Sequence, residues 1–171
     1  KSPSELVVVD ASINDVGGDY ATALLLGKHL EAVAAQTGIG TPSTAEAVLS
    51  SLEGEENGWL REAFAAAETG YLHKLSEAFR MAEGRGDLDD RVRGSWGRRV
   101  VPISSTVGDA LVTTPMSRSE YLARLGPFFE SAKELLTRFL SRIGEPGHLP
   151  YAVLMTGGGS RIGGLRSQVI E

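Results

Sequence analysis

The chain contains no cysteine, which removes disulfides, thiolate metal sites and a cysteine nucleophile together. Its three histidines, His29, His73 and His148, stand far apart without an H-E-x-x-H or similar ligand spacing, so they offer no ready metal site. Positive charge is also short. Seventeen basic against 22 acidic residues give a net charge of -5, and no global field draws in nucleic acid or an anionic membrane. The arginines of "RVRGSWGRRV" (91 to 100) form the one basic cluster and read first as a solvated loop. No apolar run approaches the roughly 20 residues that span a bilayer, and the apolar stretch of "KSPSELVVVD" is too short for a signal peptide. The expectation is a soluble intracellular protein whose partners include neither nucleic acid nor membrane.

What is present fits a globular chain: 171 residues, 42% hydrophobic and 23% charged, enough for one domain or one lobe of a larger one with a real core. The chain opens without Met and enters a strand within five residues, as expected of a processed product or an excised piece.

"ELVVVDASI" (5 to 13) is short and β-branched and reads as a buried strand, followed by a turn at 14 to 19. From Asp19, read as the N-cap, apolar residues at helical spacing predict a helix that Gly38 ends. Residues 39 to 58 read as an exposed excursion with a short helix after Thr41-Pro42. Residues 59 to 84 predict a long helix, or two broken near Gly70, with Leu60, Phe64, Ala67, Tyr71, Leu75 and Phe79 as its core stripe. A charged loop follows, and then the period changes to two: a hairpin with strands over 99 to 105 and 110 to 114 and a Gly108-Asp109 turn. Ser117-x-x-Glu120 is a capping box opening the next helix, which Gly126-Pro127 should kink or divide and Gly144 with Pro146 should stop. A buried strand "YAVLMT", the triplet Gly157-Gly158-Gly159 and a helix from about Gly163 close the chain. The order predicts an α/β or α+β fold framed by two strand-glycine-helix units.

Such a turn presents bare backbone amides at the positive end of a helix dipole, where phosphate or ribose oxygens can approach with no Cβ in the way. The two turns are Gly17-Gly18 and Gly157-Gly158-Gly159; neither is a P-loop, and no Rossmann G-x-G-x-x-G is present. Either alone reads equally well as a structural corner.

Taken together, "YAVLMTGGGSRIGGLRSQVIE" resembles the last adenosine-binding segment of the 70-kilodalton heat-shock chaperones, in which a strand ending in G-G-S-T-R-I-P leads into a helix. "MSRSEYLARLGPFFESAKELLTRFLSRIG" looks like that family's preceding helix, and "VVVDASINDVGGDYATALLLGKHL" is similar to its strand, L-G-G-E-D-F-D turn and helix. "RVVPISSTVGDALVTTPM" sits where the family has strands of its small upper subdomain. The resemblance covers all 171 residues in the right order. It implies an actin-like ATPase (ribonuclease H-like) lobe, the second of two, with residues 1–38 and 117–171 in its lower subdomain and 39–116 as an α+β upper subdomain.

The resemblance further implies ATP or ADP as ligand, with magnesium held mainly by a first lobe outside this chain. Gly157, Gly158, Gly159, Ser160 and Arg161 would line the adenosine side, Arg161 lying flat on the adenine or ribose. Gly17 and Gly18 would face the nucleotide from the opposite side, with Asp19 in place of the family's glutamate. Glu68 matches the glutamate of the family's adenine-reading Glu-x-x-Lys-Arg-x-x-Ser array, but Tyr71 and Leu72 then stand where its lysine and arginine should be; other registers recover Lys74 or Ser76 but not the full array. The implied partners are the first lobe and a client-binding domain of the same protein, and a nucleotide-exchange factor or other co-chaperone. This chain alone should not hydrolyse ATP. The alternatives are a degenerate, non-catalytic scaffold or complex subunit with the same fold, and a bacterial actin relative.

Overall fold

Gly17 is extended (φ -116°, ψ -167°) and its carbonyl accepts the Ala21 N–H at 3.2 Å, which starts helix α1, Gly18–Thr37. This is a computed structural model, which describes residues 17–54, 57–77, 100–143 and 162–165. The N-cap is therefore Gly17 and not Asp19, which sits in the first turn where its charge still suits the helix dipole. At the other end Gly38 takes φ 72°, the left-handed conformation that glycine adopts without a Cβ penalty, and its N–H bonds the Ala34 carbonyl.

Helix α2, Ala45–Leu52, begins three residues after Pro42 because Thr44 is the better start: its side chain accepts from the Ala47 N–H. That start turns Ala45 and Val48 inward, so the expected exposed excursion contributes two residues to the core. Helix α3, Gly58–Ala67, does not break at Gly70 but passes into a π-helical segment, Glu68–Leu75. A Cβ on Gly70 would stand 2.6 Å from Ile103 Cγ2. The glycine is a contact point between this helix and a strand.

Strands β1, Val100–Val107, and β2, Ala110–Ser117, pair antiparallel with Val107 opposite Ala110, around a turn in which Gly108 has φ 59°. The strands run longer than expected, and alternation holds throughout: Val101, Ile103, Ser105 and Val107 face inward with Val112, Thr114 and Met116. Helix α4, Arg118–Ile143, runs through Pro127 undivided. Proline removes an N–H partner from the carbonyl four residues back, and here that residue, Ala123, is exposed, so water can serve the freed carbonyl. Gly126, with no Cβ, relaxes the clash that disfavours helical conformation before proline.

The described residues are mostly helical, with this hairpin as their sheet. One main core joins Leu25, Leu26 and Leu30 of α1 to Val48, Leu60, Tyr71, Ile103, Met116, Tyr121 and Leu125, so both sides of the expected subdomain boundaries contribute to it. A smaller cluster of Val33, Val107 and Val112 lies toward the hairpin turn. The expected strands at 5 to 13 and 151 to 156, the stop at Gly144 and Phe79 fall outside the described residues.

Gly70→Ala tests the helix-to-strand contact. Helix propensity favours alanine by about 1 kcal/mol, but overpacking costs about 1–3 kcal/mol, and an atom at 2.6 Å on a β-branched core side chain cannot swing clear. A net loss of about 1–2 kcal/mol is expected in chemical denaturation. In an Ile103→Ala background the same substitution should turn neutral or stabilising; equal effects in both backgrounds would refute the contact.

Candidate functional site

The glycine end of α1 is the described part of the expected nucleotide cradle. Among the described residues no side chain caps it: the Gly18 carbonyl accepts the Thr22 hydroxyl at 3.1 Å, but no described side-chain oxygen meets the first-turn amides. A Cβ added to Gly17 or Gly18 would meet nothing within 4 Å, and neither glycine has positive φ. Among the described residues, then, neither packing nor backbone conformation requires glycine at these two positions, and the first-turn amides stand open at the positive end of a 20-residue helix.

Glu68 is half-buried at the start of the π-helical segment, and no hydrogen bond or ion pair joins it to Gly17 or Gly18. Gly157, Gly158, Gly159, Ser160 and Arg161 lie outside the described residues. The four residues that follow them are described, and they dock on α4. Ile162 and Leu165 are buried in the main core, and the Leu165 N–H reaches the Ile162 carbonyl at 3.2 Å. The helical assignment begins at Leu165, with a turn at 163 and 164 where a helix start was expected. Gly164 has φ 86°, a conformation that favours glycine, and a Cβ there would press on Leu122 Cδ2 at 3.1 Å. The Tyr121 hydroxyl donates to the Gly163 carbonyl at 3.3 Å and lies 2.7 Å from Ser76 Oγ, tying the π-helical segment, α4 and this turn together.

Positions 71 and 72, at which the resemblance leads one to expect cations, are core positions. Tyr71 is fully buried, Leu72 nearly so, and the Tyr71 hydroxyl donates to the Thr114 carbonyl. Burial and the nearby Glu120 carboxylate raise the Tyr71 phenol well above its ordinary range. Lys74 is exposed, while Ser76 is buried against Tyr121.

A buried polar cluster escaped the sequence reading. His29 is wholly buried, with Nδ1 2.9 Å from Thr114 Oγ1 and Nε2 2.7 Å from Ser105 Oγ. The Ser-His distance suits a nucleophile and its base, but at full burial no substrate reaches it, and the cluster serves to join α1 to both strands. A signal for it existed: His29 lies four residues after Leu25 and four before Val33 on the buried face of α1, and Ser105 holds an inward place in the alternation of β1.

Concave surface lies elsewhere, in a groove of about 580 Å³ between α1, the segment before α2, and α4, floored by Ala23, Leu24, Leu30 and Pro127. On its rim Arg124 Nη2 makes two bonds to the Glu31 carboxylate, at 2.9 and 2.7 Å. A Cβ on Gly27 would come within 3.0 Å of Arg124 Nη1, so this mid-helix glycine gives the guanidinium its path across α1. Among the described residues no group of three His, Asp or Glu side chains is placed to hold a metal, and no helix is long and apolar enough to cross a membrane.

No family model, curated protein or solved structure matches the chain.

The junction of β2 with α4 gathers a carboxylate, an ammonium and a capping serine. Glu120 Oε2 accepts from the Ser117 N–H at 2.8 Å and from its hydroxyl at 2.7 Å, while the Glu120 N–H reaches Ser117 Oγ at 3.4 Å. Lys28 bonds the other carboxylate oxygen and the Pro115 carbonyl. The Lys28 and Ser117 donors together hold the Glu120 carboxyl down at about 2. A depressed carboxylate contributes stability that is complete above its unfolded value of about 4.3 and disappears as pH falls toward the folded one. The side chain is 44% exposed, so solvent screening limits the contribution to about 1 kcal/mol. Glu120→Gln should lower the thermal midpoint at pH 7 and flatten its fall between pH 4.5 and 2; an unchanged acid limb would refute this assignment.

Proposed function

We propose that this chain is the second lobe of an actin-like ATPase domain of the 70-kilodalton heat-shock chaperone type, and that its glycine turns contribute the adenosine side of an ATP or ADP site completed by a first lobe. The observation that carries the reading is the open start of α1: two consecutive glycines that neither described packing nor backbone conformation requires, beneath uncapped amides at a helix dipole. Helix α1, the hairpin and helix α4 fall in segments on which the resemblance rests. The segment immediately after Arg161 is anchored through Ile162, Leu165 and the Tyr121 hydroxyl, a firm base for a turn that meets a ligand. Magnesium and the attacking water would be positioned mainly by the first lobe, and a co-chaperone that exchanges nucleotide is the partner this reading implies.

A second reading, a non-catalytic scaffold of the same fold, draws on a specific observation. Tyr71 and Leu72 occupy core positions where the family's adenine platform has cations, and the groove beside α2 would then be the working surface.

Calorimetry with ADP on the complete protein separates the two. The nucleotide reading expects micromolar binding that Arg161→Ala abolishes. It also expects the Gly17→Ala, Gly18→Ala double variant to weaken binding at least tenfold with little loss of thermal stability, because a Cβ there meets no described atom within 4 Å. Absence of binding by the wild-type protein would sink the nucleotide reading in favour of the scaffold.

A further inference from the structure

We propose that His29, Ser105 and Thr114 form an acid-released latch, which holds the hairpin on α1 while the imidazole is neutral and lets it go when the imidazole takes a second proton. The geometry gives the reason. A neutral imidazole has one N–H donor and one bare nitrogen, and the two hydroxyls at 2.9 and 2.7 Å complement it: one accepts and the other donates. Imidazolium has two donors, so the hydroxyl that had donated must turn its hydrogen away. The residues beside it are Ile103, Val107, Val112 and Met116, all buried and apolar, and an orphaned donor there is costly.

Charge acts in the same direction. The hairpin residues facing the ring are uncharged. From α1 the adjacent Lys28 is cationic, from the π-helical segment Tyr71 presents a neutral phenol, and from α4 the Glu120 carboxylate is already engaged by Lys28 and Ser117, with Arg124 one turn further on and paired to Glu31. Among the described residues no free carboxylate lies beside the ring to pair with a new positive charge. Burial accordingly pushes the His29 imidazole below its usual range. A group with a lowered folded value and an ordinary unfolded one stabilises the closed state fully above about pH 6.5 and loses that contribution as pH falls. α4 keeps its own contacts to α1, the Lys28–Glu120 and Glu31–Arg124 pairs, so the hairpin is expected to open ahead of α4.

Hydrogen exchange on the full chain between pH 7.5 and 5, corrected for intrinsic exchange chemistry, reads the latch directly. The expected result is loss of protection in residues 103–107 and 110–114 by up to about thirtyfold at pH 5, while residues 121–129 of α4 change little. Thr114→Val removes one hydroxyl and should lower hairpin protection already at pH 7.5, with the acid loss still setting in at about pH 6.5. His29→Gln should make hairpin protection lower at all pH values and independent of pH; if that variant does not fold, imidazole titration of His29 by NMR in the wild-type protein replaces it. Hairpin protection that stays flat to pH 5, equal loss in hairpin and α4, or a His29 titration at or above pH 6.5 would each overturn the proposal.

Discussion

A two-stranded hairpin is barely stable in water, and the described fold is organised around covering the inner face of this one. That face carries five apolar residues and two hydroxyls, Ser105 and Thr114. The hydroxyls are the constraint, since buried polar groups left without partners cost more than the surrounding apolar contacts supply. His29 answers both with one ring, and that fixes where α1 lies: Lys28 then reaches the Pro115 carbonyl and Glu120, and Val33 one turn later packs on Val107 and Val112. Tyr71 closes the other side through the Thr114 carbonyl, and Gly70 beside it lets the backbone approach Ile103.

Where α1 meets α4, charge supplies register more than energy. Lys28 pairs with Glu120, and Glu31 with Arg124, so the sign alternates along both helices. Exposed pairs of this kind contribute about 0–1 kcal/mol each. A slip of one turn, however, would set Lys28 against Arg124, like charge against like. The pattern selects one alignment by making the neighbouring one unfavourable, and Gly27 provides the room that this alignment needs for Arg124.

The features legible in the sequence are those decided within about four residues. The Ser117–Glu120 box, the left-handed Gly38 cap and the Gly108 turn depend on local chemistry and are found where local chemistry puts them. The features that escaped need a partner from far along the chain. Gly70 reads as a helix breaker until Ile103 is brought against it. Pro127 reads as a kink until Ala123 proves to face solvent. Thr41-Pro42 and Thr44 are both plausible helix starts, and only the burial of Ala45 and Val48 chooses between them. At the site, the glycines of the α1 turn could be read, but their cap could not: Asp19 is a good N-cap residue in isolation, and the chain instead uses Gly17, with no described side chain on the first-turn amides.

That choice bears on how a ligand would be held. Lysine and arginine at positions 71 and 72 would make a platform for a base, yet Tyr71 is the residue whose hydroxyl ties the π-helical segment to β2, and Leu72 is part of the main core. Placing cations there would bury charge without a partner and remove a tie of the hairpin at once. Base stacking and hairpin attachment thus compete for the same positions, and in this chain attachment holds them. On the proposed nucleotide reading, the α1 end would therefore offer main-chain amides, which read phosphate and ribose oxygens and are indifferent to the identity of the base, and Arg161 would be the side chain left to hold the nucleoside. The expectation on the proposed function is tight dependence on phosphate number with little discrimination between adenine and guanine nucleotides.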